Sequence, residues 1–361
     1  MPLSEGGYEM KDIFLRACAR EASECTPVWF MRQAGRYLPS YRRVRERSDF
    51  IQIAKSPELS SQVALSAVKE LGVDAAIVFS DIILPVEAMG ADVRIEEKRG
   101  PIVDRPIRKK RDLDSLRVVD PDKDLKCVLE AIELTLDGLD PGTPLIGFSG
   151  APFTLATYLV EGVHTRDLTN VKKLMHENPE VWHLLMDRLT EVSVGYLRSQ
   201  IRAGVHAVQL FDTWVECLSP SDYKEFVLGY SRRVFRGIEG EGVPRLHYAR
   251  GGINLLKLVH EAGGDVLSVD WRTNIDEVWH LLGPGTIVQG NLEPAVLFSS
   301  IPNIEARVTD ILRMTEDRPG YIFNLGGGIL PETPVQNVKH VVEFVHNWKA
   351  SGPPEGRSLL H

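Results

Sequence analysis

Cysteine is scarce in this chain. Cys18, Cys25, Cys127 and Cys217 are the only four among 361 residues, and no two form a CxxC pair. That excludes a disulfide framework and a thiolate zinc ribbon, and it fits a reducing, cytoplasmic setting. A basic surplus is missing too. The 42 lysines and arginines face 50 aspartates and glutamates, a net charge of −8. A general nucleic-acid binder is thereby excluded, but an anionic small molecule is not, because a local cluster can oppose the global sign. One charge-free run, Pro141–Val160, is broken by three prolines and three glycines. It reads as strand, turn and helix rather than a membrane span. Glu5, Glu9, Lys11 and Asp12 leave no apolar leader region in the first twelve residues. HExxH, HxH, GxSxG, GxGxxG and phosphate-loop patterns are all absent. Zincin, serine-hydrolase and dinucleotide-binding readings therefore have no motif to rest on.

What the chain does have is ordinary globular composition, 43% apolar and 25% charged, and a repeating alternation. Short apolar runs recur at Val28–Met31, Ala75–Phe79, Leu145–Phe148, Ala207–Phe211, Arg245–Tyr248, Val266–Val269, Thr286–Gln289 and Tyr321–Asn324. Amphipathic stretches lie between them. Ser56-Pro57-Glu58 opens one as cap, first-turn proline and first-turn acid, and Gly72 closes it. Others are expected over Pro179–Ala203, Ser221–Ile238, Leu255–Ala262, Asp276–Leu282, Ile304–Glu316 and Pro334–Lys349. Eight apolar strands alternating with helices predict an α/β fold, a single (β/α)8 TIM barrel spanning residues 1–361 as one domain. A doubly wound open sheet has the same alternation and stays as the alternative. Val93-Arg94-Ile95 and Pro101-Ile102-Val103, around Lys98-Arg99-Gly100, predict a β-hairpin insertion after the second strand.

In such barrels the chemistry sits just past the C-terminal strand ends. Those positions here are Arg32, Asp81, Ser149-Gly150, Asp212-Thr213, Arg250, Asp270, Gly290-Asn291 and Gly326-Gly327-Gly328. From Arg32 to Arg47 there are six arginines against one acid, Glu46, a local reversal of sign. Arg43, Arg45 and Arg47 read as a solvated helical arm. Arg32 and Arg36 flank a glycine-containing turn and can hold carboxylates through two-point forks. Asp81 is open between a local turn ligand, a base, a metal ligand and an acceptor for substrate N–H groups.

Pro27-Val28-Trp29-Phe30-Met31-Arg32-Gln33-Ala34-Gly35-Arg36-Tyr37-Leu38-Pro39 resembles the N-terminal signature of the uroporphyrinogen decarboxylases. Gly147-Phe148-Ser149-Gly150-Ala151-Pro152-Phe153-Thr154-Leu155, with Tyr158 and Glu161-Gly162, resembles their second. Phe79-Ser80-Asp81-Ile82, Asp270-Trp271, Gln289-Gly290-Asn291-Leu292 and Asn324-Leu325-Gly326 match in order, so the resemblance runs from about Phe14 to Lys349. It implies a single barrel, working as a homodimer without a cofactor or metal. It also implies removal of CO2 from the four acetate side chains of uroporphyrinogen III, giving coproporphyrinogen III in porphyrin biosynthesis. Carried over by position, Asp81 and Arg32 would be catalytic. Asp81 would meet the pyrrole N–H groups, and Arg32 is the candidate proton donor. Arg32, Gln33, Ala34, Gly35, Arg36, Asp81, Tyr158 and Thr213 would bind substrate.

Two departures stand out. The family's usual Leu-Gly-His-Gly is Leu325-Gly326-Gly327-Gly328 here, with no histidine at Gly327. Its usual Asp-Ser-Trp-Ala-Gly is Asp212-Thr213-Trp214-Val215-Glu216, which keeps a hydroxyl at Thr213 and adds a charge at Glu216. Gly327 is expected either to tolerate the lost histidine or to hold a left-handed backbone. The alternatives to a decarboxylase are a non-catalytic tetrapyrrole-binding relative and a zinc-dependent corrinoid methyltransferase. The latter needs a His-x-Cys pair, and no histidine lies two before Cys217.

Overall fold

A computed structural model describes residues 12–96, 100–163, 165 and 167–349. In chain order the strands are β1 (Ala76–Ile77), β2 (Val93–Glu96), β3 (Gly100–Val103), β4 (Leu145–Gly150), β5 (Ala207–Asp212), β6 (Arg245–Ala249), β7 (Val266–Val269), β8 (Ile287–Leu292) and β9 (Tyr321–Leu325). Among the described residues, seven of these make one parallel sheet in the order β1-β4-β5-β6-β7-β8-β9. The sheet is curled, with helices in its crossovers, as in a TIM-like barrel. Every residue of β4, β7 and β9 is buried, because helices cover one face and interior side chains fill the other. β2 and β3 pair antiparallel as a separate two-stranded sheet, Val93 opposite Val103. The residues that join them, 97–99, lie outside the described set.

The interior is tied by polar side chains as well as packing. Trp29 Nε1 donates to Gln289 Oε1 at 2.7 Å, and Gln289 Nε2 donates to Gln209 Oε1 and Ser268 Oγ. These side chains come from three strands and from the segment before Arg32. All four residues are buried, so each satisfied pair avoids the desolvation cost of an orphaned amide.

Three sequence expectations need correction. Val28–Met31 does not make a strand; Val28 contributes one parallel bridge to Phe323. Pro27 has no N–H to give. The Val28 N–H goes to Asp74 Oδ2, that of Phe30 to Gln33 Oε1, and that of Met31 to Asn324 Oδ1. Side chains take the donors that a ladder would use. The segment is nonetheless stitched on both sides, by Phe323 N–H to Pro27 O and Asp74 N–H to Val28 O, each at 2.8 Å. Second, the run starting at Thr286 continues as a strand to Leu292, so Gly290 and Asn291 lie within β8 rather than past it. Third, the helix expected over Ser221–Ile238 is two helices, Pro220–Phe226 and Leu228–Gly237. Val227 at φ −130° separates them. Phe226, Val227 and Leu228 are all buried. One continuous helix would turn them about 100° apart each and could not bury all three on one face.

The capped helix after Ser56 follows its sequence signals. It spans Pro57–Leu71, the Ser56 hydroxyl accepts the Leu59 N–H, and Gly72 ends it at φ +73°. The charge-free Pro141–Val160 stretch contains β4 and the start of a helix, Pro152–Glu161. No helix among the described residues is long and apolar enough to cross a membrane.

Candidate active site

The C-terminal strand ends form a mouth with two arcs. The first follows Val28, β1 and β4. Arg32 stands at φ +61°, a left-handed conformation uncommon for a residue with a side chain. It opens a tight turn in which Gln33 N–H bonds to Phe30 O and Leu38 N–H to Gly35 O. Gln33 itself is buried, donating to Ala75 O at 3.0 Å and accepting from Phe30. Its side chain serves the scaffold, and so does its backbone, whose carbonyl accepts the Tyr37 hydroxyl at 2.7 Å. The N–H groups of Ala34, Gly35 and Arg36 have no hydrogen-bond partner among the described residues. Successive free amides of this kind make a concave acceptor for anions.

Asp81 is recessed just past β1. Its Oδ1 accepts the Ile83 N–H at 2.8 Å, a local turn bond, and Oδ2 has no hydrogen bond among the described residues. Desolvation pushes its carboxyl above the usual carboxylate range, opposed by the Ile83 bond and by the charge of Arg32. Tyr158, on the helix after β4, also sits in this field. Burial raises its hydroxyl, Asp81 adds to the rise, and Arg32 and Trp214 act the other way. Trp214 stands edge-on to Tyr158 with ring centroids 6.3 Å apart. Thus Arg32, Asp81 and Tyr158 converge, and Thr213 is half-buried beside Trp214. Arg36 does not join them. It is exposed, and its charge is felt at Tyr41. Neither Arg32 nor Arg36 is in an ion pair among the described residues.

The second arc follows β5, β6 and β7. Glu216 lies in the short turn after β5. It meets Arg250, just past β6, at 3.3 Å and Arg272, past β7, at 2.7 Å. The two guanidinium groups flank the Trp271 ring, 5.4 and 4.6 Å from its centroid. Asp270 is 1% exposed and accepts from Gly251 N–H, Arg272 N–H and the Arg272 side chain. Sequence reasoning marked Arg250, Asp270 and Glu216 by position but did not connect them. The alternation of Arg, Trp, Arg and Glu at neighbouring strand ends carried no motif. Only the curl of the sheet brings them together.

Beneath these lies Asp212, the last residue of β5. It is fully buried, with Thr154 Oγ1 at 3.2 Å and Ser231 Oγ at 3.5 Å. Burial pushes its carboxyl up to about 7, against those two hydroxyl contacts.

A loop of three glycines past β9 joins the arcs. A Cβ on Gly326 would lie 2.3 Å from Trp271 N, one on Gly327 3.2 Å from Trp271 Cζ3, and one on Gly328 2.5 Å from Arg32 Cδ. The backbone threads between Trp271 and Arg32 at contact distance. Gly327 has no positive φ, so the expectation of a left-handed backbone there is corrected: what this glycine provides is room for an indole.

Comparison with known proteins supplies the family. The family model described as Uroporphyrinogen decarboxylase (URO-D) matches residues 9–348. The chain is 48% identical to the uroporphyrinogen decarboxylase of Carboxydothermus hydrogenoformans over 337 residues, 93% of this chain and 96% of that one. It is 46% identical to that of Geobacter metallireducens over 337 residues, covering 93% and 98%. Among solved structures, a methyltransferase from Methanosarcina mazei shares the fold, with a TM-score of 0.77, 22% identity, and coverage of 94% of this chain and 98% of that one. The chain belongs to the uroporphyrinogen decarboxylase family.

Proposed function

We propose that this protein removes CO2 from the four acetate side chains of uroporphyrinogen III, yielding coproporphyrinogen III. The observation that supports it most is the convergence of Arg32, Asp81 and Tyr158 at the mouth of a chain from this family. An acetate cannot lose CO2 as a bare carbanion. Protonation of the adjacent pyrrole carbon turns the ring into a cationic electron sink, so the substrate itself does what a cofactor does elsewhere. The bond to the carboxylate then breaks and its electron pair enters the ring. CO2 departs, the exocyclic carbon takes a proton to become methyl, and the ring carbon gives its proton back. Positive charge appears on the ring only along this path. Asp81, with one oxygen unengaged, meets the ring N–H groups and stabilises that charge more than the neutral ground state.

Arg32 fixes the reacting acetate beside the protonated carbon. Its planar guanidinium serves there as a fixed positive charge. The free amides of Ala34, Gly35 and Arg36 and the Arg36 side chain take further carboxylates, and Tyr158 and Thr213 add polar contacts. In this reading residues 1–361 are one closed (β/α)8 barrel, with Pro27–Met31 as the eighth stave. The hairpin β2–β3 is an insertion, and the active species is a cytoplasmic homodimer that needs no cofactor or metal. Anaerobic incubation with uroporphyrinogen, followed by oxidation and chromatography, tests it. Porphyrins with seven to four carboxylates should appear. Unchanged uroporphyrin alone would overturn the assignment.

A further inference from the structure

The second arc of the mouth has no part in the chemistry just described, yet it is built as closely as the first. Its parts come from the C-terminal ends of three strands, β5, β6 and β7, the functional end of this fold. Two guanidinium groups lie over the indole of Trp271 and share one carboxylate, Glu216, one oxygen to each. The ring and the shared carboxylate hold the forks in place, so little ordering remains to be done when a carboxylate meets them. Asp270 is buried and fixed, bonded to two backbone N–H groups as well as to the Arg272 side chain. Glu216 is different. Its only partners among the described residues are the two arginines, and its side chain is 26% exposed. Arg250 and Arg272 are 22% and 41% exposed, and the buried Nε of Arg250 has no hydrogen-bond partner.

We propose that Arg250 and Arg272 are a second carboxylate-reading pair of the active site. In this proposal Glu216 is an internal carboxylate that competes with substrate for them. It rests on the decarboxylase reading, which supplies a ligand with a carboxylate on every side. While Arg32 holds the reacting acetate, the pair takes a carboxylate on a distant pyrrole and sets how the macrocycle is turned. Glu216 keeps the forks aligned and lowers the affinity for weakly charged ligands. The glycine loop connects this arc to the first, because Gly327 abuts Trp271 and Gly328 abuts Arg32.

The proposal makes opposite predictions for the two signs of charge. Anaerobic equilibrium dialysis with uroporphyrinogen gives Kd, and product formation gives KM and kcat. Glu216→Gln, which keeps the shape and removes the competitor, is expected to lower Kd about fivefold. Arg272→Gln and Arg250→Gln are each expected to raise Kd about tenfold, with the change appearing in KM rather than kcat. In an Arg250→Gln/Arg272→Gln background, Glu216→Gln is expected to lose its effect. A Glu216→Gln protein whose Kd is unchanged or raised would overturn the proposal and leave the cluster as a brace for Trp271. This variant decides the matter even if the arginine variants fail to fold. Wild-type protein that binds uroporphyrinogen without converting it would overturn the reaction alone, and the Kd series would still judge the pair.

Discussion

The two arcs of the mouth both carry a pair of arginines, but they treat them oppositely. Arg32 and Arg36 have no ion pair among the described residues, whereas Arg250 and Arg272 share Glu216 and flank Trp271. Yet Asp81 is held recessed near Arg32 without touching it closely enough to pair. A carboxylate and a guanidinium left apart in a partly desolvated site are both available for a substrate with complementary groups. A carboxylate clasped by two guanidiniums gives a rigid frame whose charge is already met. In the proposed reaction the first arc is the reacting side and the second the holding side.

The largest expected effect breaks the reacting side. Asp81→Ala should fold and lose about 10²–10³ in kcat, the scale for removing one stabilising group at a developing charge. Asp81→Glu should keep part of the rate, as read by single-turnover product formation. The carboxyl is raised by desolvation and acts ionised, so activity should fall with pH through a value above the ordinary carboxylate range. A kcat/KM profile that is flat down to the ordinary carboxylate range would contradict this.

Next in size, Arg32→Lys should cost roughly 30-fold in kcat/KM, and the outlying Arg36→Lys roughly fivefold. Both keep the charge and lose the planar fork. Equal, negligible losses would mean that simple attraction is enough and would erase the contrast with the arginines over Trp271.

Gly327→His probes the seam between the arcs. Its Cβ must press on Trp271 Cζ3 at 3.2 Å, so the indole and its two arginines have to shift. A change of about tenfold or less in kcat/KM is expected, with a modest drop in Tm. A rate gain of several hundredfold would mean that the usual histidine is essential and the native protein impaired.

The smallest effect is on stability. Asp212 has a folded-state value of about 7 against an ordinary 3.8. The folded protein therefore keeps a proton that the unfolded chain gives up. Its stabilising contribution is present at low pH and is lost as pH rises from about 4 to about 7. Asp212→Asn should raise Tm at about pH 8, with the gain shrinking toward about pH 4. A gain of equal size at both pH values would show that the carboxyl is ionised throughout.

Much of this was legible beforehand. Ser56, Pro57 and Gly72 bounded their helix because capping is local chemistry. Arg32 and Asp81 were placed at strand ends by the apolar runs, and in the structure their charges act on Tyr158. At Gln33 the sequence does not show that the side chain bonds to Ala75, 42 positions away. The Val28–Met31 run failed as a strand for the same kind of reason, with its donors claimed by Asp74, Gln33 and Asn324. Glu216 shows the limit from the other side. Its charge was conspicuous, but the arginines that answer it lie 34 and 56 residues on and meet it only through tertiary structure. Local rules read caps and periodicity; they do not read which distant carbonyl or carboxylate will be adjacent.

The stitching of Pro27–Met31 has a consequence for motion. Strands such as β5 and β6 are held by a continuous register of backbone pairs, from Val208–Arg245 to Asp212–Ala249. This segment is held by one bridge, four separate backbone bonds and three side-chain acceptors rather than by a continuous register, so it can part without unzipping a ladder. The amide protons of Phe30 and Met31 should therefore exchange with deuterium faster than those of β5, although both places are buried. Arg32 follows directly, so the breathing of that short stretch would carry to the side where the proposed reaction takes place.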